Sequence, residues 1–296
     1  MLAKTLAAQA AQAETNETGE LLAAFLSAKE LEGCAERTLR YYESTLALFV
    51  KAVDISLTQV DTEALRTYLM DYQKQHCVGK VMADNIRRIL SSFFAWLEDE
   101  DYIVKSPALK IRHIKAPMRV KEIIGDEDME RLRDGCETAR DLAIIDLLAS
   151  AGMRAGELVR LDRTSVDLME RERVAFGKGN KERRACFDAR AKIHLEEYLG
   201  SRQDDNPALF AGLTGLHERL TIGAVEGRLR SLGRRLGLPR IHPHKFRRTM
   251  ATNAINRGMP IEQVQKLLGH VKIDTTMHYA MVNQSNVKAS HRRYLG

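Results

Sequence analysis

The chain has 296 residues, 44% hydrophobic and 29% charged, which excludes a disordered polymer and leaves room for two domains, each with its own core. Its 46 Lys and Arg outnumber 40 Asp and Glu, giving a formal net charge of +6 and a partner that is anionic, nucleic acid first. Cys34, Cys77, Cys136 and Cys186 form no CxxC pair, and the most apolar run, "LAIIDLLASAGM", is short and contains Asp146. Zinc, redox and membrane-spanning classes are therefore set aside, and a reduced, cytoplasmic protein is expected.

The start, "MLAKTLAAQAAQAE", reads as a short surface helix, because glutamines break the apolar run a signal peptide would need. Then "GELLAAFLSAKE", "AERTLRYYESTLALFVKAV", "DTEALRTYLMDYQKQ" and "ADNIRRILSSFFAWLEDE" place apolar residues at three- and four-residue spacing. These predict a four-helix N-terminal domain over 1–105. A segment at 106–120 carries Pro107 and Pro117 among basic residues without periodicity, and reads as an extended linker.

Residues 121–296 form the second predicted domain. "GDEDMERLRDGC" is a helix with acidic residues where the dipole favours them. Thr138 and Asp141 resemble a capping box opening "ARDLAIIDLLAS", which Gly152 stops. "RVAFGKGNKERRACF" reads as two strands around Gly179 and Asn180. Helices return with "AKIHLEEYLGSR", "IGAVEGRLRSLGRRLG" and "KFRRTMATNAINRG", then "PIEQVQKLL" with Pro260 at its first position and Gly269 closing it. The end, "NQSNVKASHRRYL", is a predicted last helix. The expected fold is mainly α with a small antiparallel β-sheet.

Four stretches put cationic or nucleophilic residues where elements end. In "AGMRAGELVRL", Arg154 lies in a turn and needs an anion, either a ligand or Glu157 three residues on. In "FGKGNKERR", Lys178 stands at a hairpin tip between glycines that admit a ligand, or is simply a solvated turn lysine. No Ser or Thr follows it, so this is not a nucleotide-binding P-loop. In "HPHKFRRT", His244 and Arg247 are three apart at a helix start, a place that favours anions, while Phe246 points to the core. His242 and His244 also read as a metal pair, though no ligand cluster accompanies them. In "LLGHVKIDTTMHYAMV", His270 follows Gly269, Asp274 or Thr275 caps a short helix, and that helix carries Tyr279. Alone, Tyr279 reads as a packing residue; His278 beside it faces another way.

In order and residue type these four stretches closely resemble the tyrosine site-specific recombinases, the family of phage integrases and Xer-type proteins. The resemblance covers nearly the whole chain, and the C-terminal motifs carry most of it. It implies a core-binding SAM-like DNA-binding domain followed by an α+β catalytic domain. It also implies Arg154, Lys178, His244, Arg247 and His270 as the basic site and Tyr279 as nucleophile. The implied reaction is attack of the tyrosine oxygen on a DNA phosphodiester, giving a 3′-phosphotyrosine and a free 5′-hydroxyl. A 5′-hydroxyl from a second DNA then reverses the step through a Holliday junction.

That chemistry suits the residue types. A free phenol has a pKa of about 10, and cations beside the oxygen lower it. Two planar guanidiniums match two non-bridging oxygens. His244 is placed to accept the phenol proton, and by resemblance Lys178 protonates the leaving oxygen. These cations take the place of a metal ion, so no metal, nucleotide or other cofactor is expected. Arg87, Arg88, Lys110, Arg112, Lys115, Arg119, Lys121, Arg228 and Arg230 are phosphate-contact candidates, each equally readable as solvated surface. The resemblance implies four copies on two duplexes, assembled by exchange of a helix near 287–294. A helix-turn-helix regulator and a type IB topoisomerase are the rival readings. The regulator would not need Arg154, Lys178 and Tyr279 together, and the topoisomerase would not need four chains.

Overall fold

A computed structural model describes residues 2–53, 55–117, 122–176, 182–270, 273 and 276–277. The chain divides into two compact units, Met1–Met118 and Arg119–Gly296.

The first unit holds α1 (Leu2–Leu31), α2 (Glu36–Ala52), α3 (Thr62–Gln75) and α4 (Lys80–Asp99). The surface helix expected at the start and the helix expected after it are one element, α1, because nothing between them breaks a helix. The apolar spacing of α2, α3 and α4 turns one face of each inward. Phe25, Leu46, Phe49, Leu65, Phe93, Phe94 and Leu97 are fully buried there. Phe25 meets Phe93 edge-on at 5.2 Å, and Phe49 meets Tyr68 edge-on at 4.9 Å, geometries that the ring quadrupoles favour. Asp61 caps α3 by accepting the Ala64 N–H at 2.8 Å.

The segment expected as an extended linker is tied to the helices before it. Ser106 caps a short 3₁₀ turn, Pro107–Lys110, and its N–H is held by Glu98 at 3.0 Å. The Thr62 hydroxyl donates to the Pro107 carbonyl at 2.8 Å, and Ala108 is buried in the helical core. Asp84 accepts the Ile114 N–H at 2.9 Å. The segment is thus pinned to the first unit as far as Ile114. Periodicity missed this because the anchors are single side chains reaching back to α3 and α4.

The second unit is built on α6 (Ala139–Ala151), which packs against α8 (Ala189–Gly200) and α10 (Pro243–Asn256). Its Ala143, Ile145, Leu147, Leu148 and Ala151 are fully buried. Asp146 lies within that apolar run and is 1% exposed. Arg133 donates to it at 2.7 Å, and His194 Nδ1 lies 2.5 Å from its other oxygen, which is how a buried carboxylate is tolerated. Arg133 belongs to α5 (Asp126–Asp134), whose first turn carries Asp126, Glu127 and Asp128. Thr138 caps α6 as its sequence suggests, accepting the Asp141 N–H at 3.1 Å.

Short α7 (Ala155–Val159) leads to β1 (Val166–Asp167), β2 (Glu172–Phe176) and β3 (Glu182–Cys186). These form an antiparallel sheet in the order β1-β2-β3, with Phe176 opposite Glu182 at the hairpin end. Helix α9 (Ile222–Arg235) and α10 follow, and α11 (Ile261–Leu268) closes the described part of the unit. Pro260 is the residue before α11 rather than its first helical position: its ψ of 141° is extended.

Candidate active site

Two glycines set the geometry. Gly152 ends α6 at φ 56°, and a Cβ there would lie 2.0 Å from the Met250 methyl on α10. The left-handed turn favours glycine, and any larger residue would also displace the end of the Met250 side chain. Gly269 ends α11 in the same way at φ 63°. Two helices therefore stop with their carbonyl ends, the negative poles of their dipoles, beside α10.

Arg247, on the second turn of α10, lies between those ends and is 1% exposed. Its Nη1 donates to the Gly152 carbonyl at 2.6 Å and its Nη2 to the Leu268 carbonyl. The guanidinium fork satisfies carbonyls that have no partner inside their own helices.

Arg154 precedes α7. Glu157 accepts both its backbone N–H at 3.0 Å and its Nη1 at 2.7 Å, so the structural ion pair foreseen from spacing is present. It does not use up the side chain. Nη2 also reaches the Gly269 carbonyl at 3.4 Å, and the side chain remains 41% accessible, whereas that of Glu157 is 8% accessible. Glu157 thus holds one edge of the arginine and leaves another toward solvent.

His270 follows directly. Its N–H donates to the Gln265 carbonyl at 3.1 Å, and its carbonyl accepts from the Gln265 amide at 3.0 Å. Its Nδ1 lies 2.9 Å from the hydroxyl of Thr276, a fully buried residue. Neither Gln265 nor Thr276 was singled out from sequence. The available signal for Thr276 was its place three residues before Tyr279, one helical turn away.

His244 is exposed on the first turn of α10, while Phe246 is fully buried in the core. The neighbouring His242 is held below the usual histidine range, by burial first and then by the charges of Arg248, His244, Arg240 and Lys245. Among the described residues, no group of three or more His, Cys, Asp or Glu side chains is placed to hold a metal ion. Lys178, Tyr279, His278, Asp274 and Thr275 lie outside the described residues, as do Arg119, Lys121 and the predicted last helix.

Among the phosphate-contact candidates, two are paired with carboxylates of their own unit. Arg228 presents its fork to Asp141, with Nε and Nη2 donating at 2.8 and 2.6 Å. Its bidentate edge is therefore used within the fold. Burial pushes the Asp141 carboxyl up, but the Arg228 hydrogen bond and the charges of Arg140 and Arg228 outweigh it, holding the group below the usual carboxylate range. Arg87 gives its Nε to Asp84 at 2.7 Å from a largely covered position. Arg88, Lys110, Arg112, Lys115 and Arg230 are exposed. Arg235, in the same basic cluster as Arg230, pairs with Glu137.

Arg154, Arg247 and His270 thus converge on one helix end, an arrangement suited to oxyanions and so to phosphoryl transfer. Among known proteins, the phage integrase family profile matches residues 122–286, and the phage integrase N-terminal SAM-like domain matches residues 21–103. The chain belongs to the phage integrase family and is a tyrosine-type site-specific recombinase, a DNA strand transferase. It is 33% identical over 246 residues to tyrosine recombinase XerC of Haemophilus ducreyi, covering 79% of this chain and 80% of that protein. The fold is shared with XerH site-specific recombinase bound to palindromic difH substrate in a post-cleavage complex, at a TM-score of 0.72 and 20% identity, over 89% of this chain and 82% of that one. It is also shared with a lambda integrase tetramer bound to a Holliday junction, at 0.71 and 19% identity, over 86% and 77%. Among the described residues, no helix is long and apolar enough to cross a membrane.

Proposed function

We propose that this recombinase cuts DNA with Tyr279, forming a 3′-phosphotyrosine and freeing a 5′-hydroxyl, and exchanges strands through a Holliday junction. The observation that carries this reading is the meeting of Arg154, Arg247 and His270 at the end of α11, nine residues or more before Tyr279 in the chain.

In this reading Arg154 and Arg247 bind the two non-bridging phosphate oxygens and His270 adds a third donor. His244 accepts the phenol proton, and Lys178 protonates the leaving 5′-oxygen. The phosphotyrosine keeps the phosphodiester's energy, so the exchange needs no nucleotide, and the cations need no metal beside them. Residues 1–105 serve as the core-binding domain, 106–120 as a basic connection and 121–296 as the catalytic domain. Exposed Arg88, Lys110, Arg112 and Lys115, with Arg119 and Lys121, are the backbone contacts that this reading favours. Two duplexes cut on both strands call for four copies, linked by exchange of the segment near 287–294. The Xer and integrase relatives support work on DNA, and the four free cysteines support a cytoplasmic setting.

The test is a duplex nicked near the cleavage site, from which the short cut fragment diffuses away. Wild-type protein becomes covalently trapped and Tyr279→Phe does not. Four-chain synaptic complexes then separate a recombinase from a topoisomerase. Trapping that survives Tyr279→Phe rejects the reading.

A further inference from the structure

We propose that Thr276 is a positioning residue that fixes the His270 ring with its proton on Nε2, and so makes the histidine's readiness depend on the chain segment that leads to Tyr279. This rests on the function proposed above.

His270 is anchored twice, by different parts of the chain. Gln265 of α11 holds both of its backbone groups. The ring is held separately, by the Thr276 hydroxyl 2.9 Å from Nδ1. Thr276 is 0% exposed, and its N–H donates to the Ile273 carbonyl at 2.7 Å, so its hydroxyl comes from a fixed backbone. A neutral imidazole has one donor and one acceptor nitrogen, and the bond at one determines the role of the other. With the hydroxyl donating to Nδ1, the ring proton lies on Nε2, the nitrogen that meets a phosphate oxygen in this reading. The opposite tautomer would turn a lone pair toward that oxygen and repel it.

The bond also joins two parts of the site. Thr276 is six residues after His270 and three before Tyr279. Only a hydroxyl side chain achieves this, since valine has the same shape and no proton to give.

The experiment compares Thr276→Val and Thr276→Ser by single-turnover trapping on the nicked duplex at saturating protein, with DNA affinity measured alongside. Valine is expected to slow cleavage about tenfold, the size of one lost hydrogen bond, with DNA affinity within about twofold. Serine is expected to restore the rate to within about threefold. In a His270→Ala background the valine change should cost nothing further, because its effect passes through the ring. Nitrogen-15 NMR of the wild-type protein should show His270 as the Nε2–H tautomer, a readout that needs no variant to fold. Cleavage by Thr276→Val at the wild-type rate, an equal loss in the His270→Ala background, or an Nδ1–H tautomer in the wild type would each overturn the inference. Failure of the wild type itself to be trapped would instead overturn the reading of Tyr279 as nucleophile, and the NMR result tells the two failures apart.

Discussion

Arg154 and Arg247 lie 93 positions apart in the chain and donate to consecutive carbonyls, those of Gly269 and Leu268. One arginine is buried to 1% exposure and the other keeps a side chain 41% accessible. The shared helix end therefore serves two purposes. Arg247 satisfies its buried carbonyls from within, besides the phosphate contact proposed for it, and Arg154 leans on it from outside with an edge still open to a ligand.

Substitution by lysine should separate those purposes. Arg247→Lys cannot serve both the Gly152 and Leu268 carbonyls, so at least one buried acceptor is stranded at a cost of about 1–3 kcal/mol. Thermal denaturation should show a clear loss of stability, together with loss of DNA cleavage. Arg154→Lys keeps a cation beside Glu157 in a partly exposed place, where an ion pair contributes about 1 kcal/mol or less. Its melting temperature should stay close to wild type while cleavage falls at least tenfold, because a lysine offers no planar fork. Equal stability losses in the two variants would contradict the division of roles.

Gly152→Ala is the corresponding backbone test. The residue has φ 56°, and the added methyl meets the Met250 side chain. Methionine can yield, so the cost is mainly the left-handed backbone, about 1–2 kcal/mol. Because the Gly152 carbonyl holds Arg247, cleavage should fall more than stability alone explains. Comparing the fraction folded at the assay temperature with single-turnover rates measures that excess.

The same hydrogen bonds show what was legible in the sequence. Helix ends were, because Thr138, Gly152 and Gly269 act on their immediate neighbours. The Arg154 and Glu157 pair was legible for the same reason, three residues being one helical turn. The motif stretches pointed to the arginines and histidine, but the carbonyls that hold the arginines lie 21 to 115 residues away, beyond any local pattern. Distance also hides partners: Asp141, which pairs with Arg228, is 87 residues away, and Asp84 holds Ile114 from 30 residues away. Thr276 went unnoticed since its hydrogen bond depends on how the chain turns after Gly269.

The Arg228 and Asp141 pair gives a prediction in both pH and salt. Asp141 is held below its unfolded value, so the pair's stability is fully present above the ordinary aspartate range near 3.9 and is lost as pH falls through the lower folded value. Arg228→Ala should therefore destabilise the protein near neutrality and narrow its gap to wild type in acid. Its DNA affinity should fall with salt at the wild-type slope. Arg112→Ala and Lys115→Ala, both at exposed positions, should instead reduce that slope by about 0.9 for each phosphate no longer neutralised. A reduced slope for Arg228→Ala would return it to the DNA interface.

The proton given to the leaving oxygen offers the sharpest test of Lys178. An alkoxide leaving group needs protonation, whereas a thiolate does not, since a thiol has a pKa of about 8.5. A substrate with sulfur in place of the bridging 5′-oxygen should thus be cleaved by Lys178→Ala at close to the wild-type rate, although the same variant is slow on ordinary DNA. Arg154→Ala and Arg247→Ala should gain far less, because the charge that the proposed reading has them meet is on the non-bridging oxygens in both substrates. His270→Ala should behave like the arginine variants, since in the proposed reading its ring, met at Nδ1 by the Thr276 hydroxyl, donates to phosphate rather than releasing a proton. If His270→Ala were rescued by sulfur and Lys178→Ala were not, the two roles would have to be exchanged.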